Sequence, residues 1–487
     1  LKAARGGKIA TIESFGSKSE QDIIDSLERF KKGQVKSNRM SLPVAYNQAM
    51  EVIEYLKKHQ RVIEAIPLGS LRRFVSTIGD IDVAVSTYEP EEAISWFLKY
   101  PKKASIVEKG PSGATILLDN GRQIDLRVQS PDKFGAMLQY FTGSKNHNIH
   151  LRELALKQGL SLSEYGIKLI KKIQITNTKS NSKFKIQNSK FNKKLNLYQF
   201  PNEKDFYNAL GLSWIPPELR ENTGEIEAAL QEGLPKLVEL EDIKGDFHIH
   251  SNYDLEPSHD LGRSSLEEIL RTAAILGYEY IGISDHNPSQ SKHTSEQIAD
   301  ILKKRRQYFE QIMSSTKSVR VKLFIMLEVD ILPDGQLPIP ENAFESLDAV
   351  IVSIHSCFQM PKKEMTDRII FGLSHPKAKI FGHPTGRLIG KREGYEIDWQ
   401  RLFNFCKEKD KAIEINSYPD RLDLPDIMVR EAIKNKIKLA IDTDSHEAEQ
   451  MKMMTFGVSV AKRGWAEKGD IINTMPYNKV KEWLLKY

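Results

Sequence analysis

The stretch GSLRRFVSTIGDIDVAV, which spans residues 69–85, decides the fold of the N-terminal half of the chain. Its last part, GDIDVAV, alternates aspartates with branched apolar residues, and this period of two is typical of a half-buried β-strand. Asp80 and Asp82 should therefore share one face of the strand, while the apolar residues supply the core on the other face. The preceding Gly69-Ser70 is typical of a tight turn that enters a helix.

A second strand with the same alternation, RQIDLRV at residues 122–128, presents Asp125. Three carboxylates that converge would repel one another unless divalent cations lie between them, and Mg²⁺ prefers oxygen ligands. Two such ions can hold both the attacking and the leaving oxygen of a phosphoryl transfer. The turn Gly69-Ser70-Leu71-Arg72-Arg73 offers backbone N–H groups, the Ser70 hydroxyl and two Arg side chains, which suit a triphosphate. The pattern predicts a metal-dependent phosphoryl transfer that involves a triphosphate.

The C-terminal half carries a different pattern, in which short apolar runs alternate with helical segments from about residue 244 onward. The predicted strands are GDFHI, EYIGIS, KLFIML, DAVIVSI, KIFG, KAIEIN and IKLAID. Such alternation predicts a parallel sheet, and seven consecutive strands favour a closed (β/α) barrel.

Histidines and carboxylates follow these strands one after another, and nine of the twelve histidines lie between His248 and His446. The residues at or after the predicted strand ends are His248, His250, Asp285, His286, Glu328, His355, His383, Asp444 and His446. Because active sites of such barrels lie at the carboxyl ends of the strands, these side chains should meet at one mouth. Histidine and carboxylate ligands suit Zn²⁺, Mn²⁺ or Fe better than Mg²⁺ alone.

Composition sets the outer limits of this interpretation. The chain has 487 residues, of which 40% are hydrophobic and 28% charged, which excludes wholesale disorder and indicates about three domains. Nothing approaches the roughly 18 apolar residues of a membrane span. Two cysteines cannot form a disulfide framework, so we expect a reducing, cytoplasmic setting. The net charge of +6 permits a nucleic-acid partner.

The N-terminal motifs resemble the palm of family X DNA polymerases, which are nucleotidyltransferases of DNA repair. The resemblance implies that Asp80, Asp82 and Asp125 bind Mg²⁺, with Asp125 as general base for the primer hydroxyl. The run LQYFTGSKNHNIHLRELALKQGLSLSEYG, at residues 138–166, resembles the family's thumb. The nucleotide-binding residues that the resemblance implies are Gly69, Ser70, Arg73, Gly79, Tyr140, Phe141, Gly143 and Asn148.

DNA contacts are implied by two further elements. Arg152 in the thumb-like run would contact the template strand. ESFGSKSEQDI, at residues 13–23, resembles part of a helix-hairpin-helix, in which Gly16 and Lys18 would hold a DNA phosphate. Family members carry an N-terminal eight-kilodalton DNA-binding module before this point, and we expect the present chain to begin after it.

The C-terminal motifs resemble the polymerase and histidinol phosphatase (PHP) domain, a seven-stranded barrel with up to three metal ions. GDFHIHS, LEVDI, SIHS, GHPTGRL and IDTDSH match its successive motifs. The ligands that the resemblance implies are His248, His250, His286, Glu328, His355, His383, Asp444 and His446. One more ligand comes from the turn SNYDLEPSHDLGRSS, where Asp260 is preferred and Asp254 and His259 are alternatives. In related polymerases this domain is a 3′-to-5′ exonuclease, and we expect the barrel of this chain to hold Mn²⁺ or Zn²⁺.

These patterns define a multidomain α/β protein. The predicted order is a partial helix-hairpin-helix and fingers at 1–60, a mixed-sheet palm at 61–130, the start of a thumb at 131–170, a Lys/Asn-rich insertion at 171–200, the rest of the thumb and a connector at 201–243, and the PHP barrel at 244–487. We expect residues 131–170 to be helical. The insertion has eight lysines and no acidic residue, which favours an exposed basic loop over a loosely formed hairpin.

The predicted function is a monomeric repair polymerase that acts on gapped or primed double-stranded DNA with deoxynucleoside triphosphates (dNTPs), trims 3′ ends and contacts no membrane. One alternative is a PHP phosphoesterase whose polymerase half only docks DNA. A non-catalytic bridging factor is disfavoured by two complete sets of metal ligands. A nucleotidyltransferase with a small acceptor would not need YFTGS.

Overall fold

A computed structural model of the chain describes residues 39–170, 190–193, 196–256, 260–316 and 320–486. The chain separates into two compact units, Leu1–Met40 and Ser41–Tyr487, and all elements named below belong to the second. The predicted DNA contacts Gly16 and Lys18 and the alternative ligand His259 lie outside the described residues. Among the described helices, none combines the length and the apolar character that crossing a membrane requires.

A five-stranded mixed sheet forms the first domain of this unit. Its strands are β1 Glu64–Pro67, β2 Ile81–Ser86, β3 Lys103–Gly110, β4 Gly113–Leu118 and β5 Gln123–Gln129, and its helices are α1 Leu42–Lys57, α2 Gly69–Arg72 and α3 Pro90–Phe97. The strand order is β1-β2-β5-β4-β3, and β2 and β5 are parallel neighbours at its centre. Ile81, Val83 and Val85 are fully buried, as the alternation predicts. The two aspartate-bearing strands therefore lie side by side.

Helices and a four-stranded antiparallel sheet follow. They are α4 Phe134–Thr142, α5 Lys145–Lys157, β6 Leu160–Ser163, β7 Gly166–Leu169, β8 Lys190–Asn192, β9 Leu197–Gln199, α6 Glu203–Ala209 and α7 Glu225–Leu230. The helical prediction for 131–170 is wrong over β6 and β7, where Leu160 and Ile167 turn into the core. Part of the 171–200 insertion also pairs, because β9 adds to β7 and buries Leu197.

Seven parallel strands form the C-terminal barrel in sequence order, as predicted. They are β10 Gly245–Ile249, β11 Tyr280–Ile283, β12 Lys322–Asp330, β13 Ala349–Ser353, β14 Ala378–Phe381, β15 Ala412–Asn416 and β16 Lys438–Asp442. The helices are α8 Leu266–Ile275, α9 Ser295–Ser315, α10 Lys362–Leu373, α11 Trp399–Glu408, α12 Asp426–Lys434, α13 Met454–Arg463 and α14 Tyr477–Leu485. Short 3₁₀ helices occur at Pro131–Lys133, Pro217–Leu219, Leu240–Asp242, Glu341–Ser346, Ala448–Met453, Lys468–Asp470 and Ile472–Thr474.

Buried polar groups join the first barrel strand to the last. The Phe247 N–H donates to Asp442 Oδ1 at 2.7 Å, and the His250 N–H donates to the Ser445 carbonyl at 2.8 Å. The Asn473 amide lies in the same seam and donates to the carbonyls of Gly245 and Ile441 at 3.0 and 2.8 Å. Burial, together with the nearby charge of Asp246, raises the pKa of Asp442 well above its usual range. The barrel is nearly closed, and the predicted fold class is confirmed.

Candidate metal centres

The carboxyl ends of the barrel strands bring the predicted ligands together in three overlapping groups. Within each group, one ligand atom from every residue lies within 4.8 Å of the others. The groups are His250, His286 and His446; His248, His250, Glu328 and Asp444; and His286, Glu328 and His355. His383 adjoins the third group, because its Nε2 lies 2.8 Å from Glu328 Oε1 and 3.2 Å from His355 Nε2.

The lone pairs of this cluster fit divalent cations. His248 Nε2 lies 3.2 Å from Glu328 Oε2, and yet this nitrogen and His446 Nε2, both shielded from solvent, have no hydrogen-bond partner within the described residues. Buried polar atoms in native proteins are nearly always paired, so unpaired imidazole nitrogens that converge on carboxylates indicate metal ligation. Imidazole with carboxylate is a donor set for transition metals.

Further carboxylates contact these imidazoles through their Nδ1 atoms and so orient them. Glu414 Oε1 lies 2.6 Å from His248 Nδ1, and Asp330 Oδ1 lies 2.5 Å from His355 Nδ1. Such carboxylates fix the tautomer and orientation of an imidazole and raise its basicity. Asp285 belongs to none of the three groups, and its Oδ2 lies 2.7 Å from Arg305 Nη2.

Opposing charges set the protonation of the cluster. Burial lowers the pKa of His248 and His355, but neighbouring carboxylates outweigh it. Glu328 and Asp330 raise the pKa of His355 to about 10, and Asp444, Glu328 and Glu414 raise that of His248 well above its usual value. With a pKa of about 10, His355 is therefore a positively charged imidazolium at neutral pH in the metal-free protein.

Metal binding at the barrel is expected to release protons, because an imidazole must lose its proton before it can bind a cation through that nitrogen. His355, with a pKa of about 10, should release about one proton at pH 7.5, and affinity should rise with pH. Titration calorimetry of the metal-free chain with Mn²⁺ in buffers of different ionisation enthalpy measures this number. His355→Ala should lower it. Binding heats that do not depend on the buffer would contradict the assignment.

The turn after β10 provides one candidate ligand at the rim. Asp260 Oδ2 lies 3.5 Å from His446 Nε2, although the Asp260 side chain is 66% exposed. Asp254 belongs to none of the three groups, and its Oδ1 accepts the N–H of Glu256 at 3.1 Å. Of the two described candidates in this turn, Asp260 also lines the cavity in front of the cluster.

The cluster opens into a cavity of about 440 Å³. Arg392 and Arg421 line it together with Phe358 and Tyr418. Arg421 Nε lies 3.5 Å from Asp444 Oδ2, and the Arg392 guanidinium stacks 3.8 Å from the centre of the Phe358 ring. The mouth therefore combines ligands for cations with positive charge and an aromatic face, which together suit a phosphate ester that bears a ring.

The N-terminal sheet holds the second centre. Asp82 of β2 and Asp125 of β5 are direct partners in the parallel ladder, and Asp80 immediately precedes β2. Asp125 Oδ2 accepts the amide of Gln123 at 3.0 Å, and its Oδ1 accepts the hydroxyl of Thr115. Within the described residues, the oxygens of these three carboxylates do not all lie within 4.8 Å of one another.

Asp82 is a carboxylate of this centre whose charged form is disfavoured by its surroundings. Burial, with the nearby charges of Asp125 and Asp80, raises its pKa to about 6, although Arg127 opposes the shift. An ionised Asp82 is therefore costly until a cation offsets the negative charge. This observation fits a divalent ion at the site.

Asp82→Asn is expected to stabilise the metal-free protein. Because the pKa of Asp82 is higher in the folded than in the unfolded protein, ionisation of this carboxyl lowers the free energy of unfolding. The loss is absent below the unfolded pKa of 3.8 and grows as the pH rises to about 6. At pH 7.5 in EDTA, the variant should melt about 2–4 °C higher than the wild type, and the difference should vanish near pH 4. Thermal melts followed by circular dichroism test this. An equal decrease at both pH values would refute the assignment.

The turn of residues 69–73 packs against Asp82. Gly69 has φ +58°, and a Cβ there would lie 2.8 Å from Asp82 Oδ2, so only glycine fits beside the carboxylate. Ser70 follows in α2, and Gly79 precedes Asp80. The Arg73 guanidinium does not point into open solvent, because Nε lies 2.9 Å from Glu221 Oε1 and Nη1 donates to the Thr142 carbonyl at 2.5 Å.

The thumb-like residues adjoin this turn. Gly143 has φ +71°, and a Cβ there would lie 3.1 Å from Arg73 Nη1. Tyr140 and Phe141 stack edge to face with ring centres 5.0 Å apart, and the exposed Arg152 lies 5.2 Å over the Tyr140 ring. Asn148 links α5 to α4, since its amide donates to the Tyr140 carbonyl at 2.7 Å.

Comparison with known proteins agrees with both halves. Family models match the DNA polymerase beta thumb over residues 137–221 and the PHP domain over residues 246–418. The "DNA polymerase/3'-5' exonuclease PolX" of Bacillus subtilis is 31% identical over 99% of this chain and 79% of its own length. The chain belongs to the PolX family.

Other proteins resemble parts of this PolX chain. A "Probable phosphatase" of Thermoanaerobacter sp. is 26% identical over 45% of the chain and 88% of its own length. The crystal structure of Leishmania infantum polymerase beta in a ternary primer–template complex covers 44% of this chain and 96% of that chain, with 17% identity and a TM-score of 0.33.

Sequence reasoning missed several residues of the PolX centres. Glu414 lies within an apolar strand, where a buried charge is rare without a partner. This signal could have identified it. Asp330 lies two positions after Glu328 and thus on the same face of β12. Arg392 and Phe358 lie in loops without periodicity, and no pattern indicated them.

Proposed function

We propose that this chain adds nucleotides to primer 3′ ends in short DNA gaps at the N-terminal centre and removes 3′-terminal nucleotides at the barrel mouth. The observation that carries the proposal is the presence of two separate ligand sets. One is the Asp82–Asp125 ladder pair beside the 69–73 turn, and the other is the histidine cluster of the barrel.

At the N-terminal centre, Asp80, Asp82 and Asp125 would hold Mg²⁺, and Asp125 would accept the proton of the primer hydroxyl. Ser70 and Arg73 would bind the phosphates of the dNTP beside Gly69 and Gly79. Thumb residues Tyr140, Phe141, Gly143 and Asn148 would enclose its sugar and base, and Arg152 would contact the template.

At the barrel, Mn²⁺ or Zn²⁺ would be held by the three groups with His383 and Asp260. Cations bound there would activate water and offset the negative charge that develops on the phosphate. Arg421 and Arg392 would bind the phosphodiester next to the scissile bond, and Phe358 offers its ring to a terminal base. Such contacts would favour the 3′ end of a nucleic acid over a small phosphate ester as the substrate.

A gapped duplex with a labelled primer tests the proposal. With Mg²⁺ and all four dNTPs, the chain should add the nucleotide that the template specifies, and with Mn²⁺ alone it should shorten the primer. If it hydrolyses small phosphate esters but neither extends nor shortens the primer, the phosphoesterase alternative is correct.

A further inference from the structure

One arginine of the barrel domain reaches the N-terminal centre. Arg463 ends helix α13, and its side chain is 9% exposed. Its Nη1 donates to Glu221 Oε1 at 2.9 Å and to the carbonyl of Arg73 at 2.8 Å. Its Nε and Nη2 lie 2.8 and 2.7 Å from Asp426 Oδ2, which orients the guanidinium from within the barrel.

The carboxylate of Glu221 is therefore shared between the two domains. Its Oε1 accepts from Arg463 and also from Arg73 Nε, each at 2.9 Å. Arg73 is the residue to which the proposed function assigns the phosphates of the nucleotide. Glu221 thus competes with the nucleotide for Arg73, and Arg463 competes with Arg73 for Glu221.

The Glu221–Arg463 pair should weaken the Glu221–Arg73 pair. A carboxylate that serves a second guanidinium attracts the first less strongly, because its negative charge is partly offset. The bond from Arg463 to the Arg73 carbonyl also holds the backbone of the 69–73 turn. Loss of Arg463 would leave Glu221 to pair with Arg73 alone and would release the turn.

We infer that Arg463 is a positioning residue for nucleotide binding, through which the barrel domain keeps Arg73 available to the triphosphate. The inference rests on the proposed function of the N-terminal centre. It assigns the barrel a role in nucleotide addition that does not involve its metal ligands.

The preceding residue on α13 provides a matched control. Lys462 also crosses from the barrel, and its Nζ lies 2.9 Å from both Glu218 and Glu239. Within the described residues, Arg73 pairs with Glu221 and with neither of these two carboxylates. Lys462→Met therefore weakens the same junction but leaves the sharing of Glu221 unchanged.

Single-nucleotide incorporation by the full chain into a gapped duplex tests the inference. Arg463→Met should raise the KM for the dNTP about tenfold, as expected for one charge-assisted hydrogen bond, with kcat within about twofold of the wild type. Lys462→Met should leave the KM unchanged, and 3′ resection should persist in both variants. Glu221→Gln in the Arg463→Met background should restore the KM, because the neutral amide no longer competes for Arg73.

A wild-type KM in Arg463→Met, or an equal rise in Lys462→Met, would overturn the inference alone. So would a parallel loss of incorporation and resection, which indicates a structural role. If Arg463→Met does not fold, Arg463→Lys carries the same test, because an ammonium cannot serve Asp426, Glu221 and the Arg73 carbonyl together. Absence of incorporation by the wild type would instead reject the proposed function, and the inference with it.

Discussion

Asp125→Ala is expected to lower nucleotide addition by about a thousandfold, the scale of a lost general base or cation ligand. Asp125 is the ladder partner of Asp82, so its carboxylate lies beside the one whose pKa is raised to about 6. The side chain supplies no core, and the apolar residues of β5 alternate with it on the buried face. The measurement is single-turnover extension of a primer in a one-nucleotide gap.

The matched control for this variant is Asp119→Ala, an exposed carboxylate that follows β4 and precedes the turn into β5. It should extend the primer at the wild-type rate. Extension by Asp125→Ala at the wild-type rate would show that the N-terminal centre has been assigned to the wrong residues.

His248→Ala is expected to lower 3′ resection by about a thousandfold or more. His248 is fully buried, and its Nε2 faces Glu328 and Asp444 at 3.2 and 3.6 Å, so its removal takes an imidazole from the interior of the cluster. Loss of a cation there removes several kcal/mol of stabilisation of the charge on the phosphate, and each 1.4 kcal/mol is about tenfold in rate.

His375→Ala separates this effect from a general loss of barrel stability. His375 precedes β14, at the opposite end of the barrel strands from the metal cluster, and stacks on Phe344 with ring centres 3.8 Å apart. Its resection rate should match the wild type. Equal losses in His248→Ala and His375→Ala would refute the assignment of the cluster.

The barrel and its cluster could be predicted because their signals are local. Each strand is an apolar run, as in Ala349–Ser353, whose residues are all buried. A strand also fixes where its carboxyl end lies, and so His355 and His383 could be placed at one mouth before any contact was known.

The elements that sequence reasoning missed lack such a signal. Strand β3 exposes Ile106 and Val107 on its two faces, so no apolar period marks it. The β6–β7 hairpin contains only four residues in each strand, and charged residues flank it. Short elements of this kind depend on tertiary packing more than on local pattern.

Contacts between distant residues were also beyond sequence reasoning. Glu221 lies between Arg73 and Arg463 only because the two domains pack together, and no spacing along the chain relates the three. The sequence indicated Arg73 through its motif, but it could not indicate the carboxylate that holds it.

The most direct test of two independent centres uses one labelled gapped duplex with the wild type, Asp125→Ala and His248→Ala, each with and without dNTPs. The account predicts that Asp125→Ala shortens the primer but does not extend it, and that His248→Ala extends the primer but does not shorten it. Loss of both activities in His248→Ala, with an unchanged circular dichroism spectrum, would indicate a single shared site and would contradict the account.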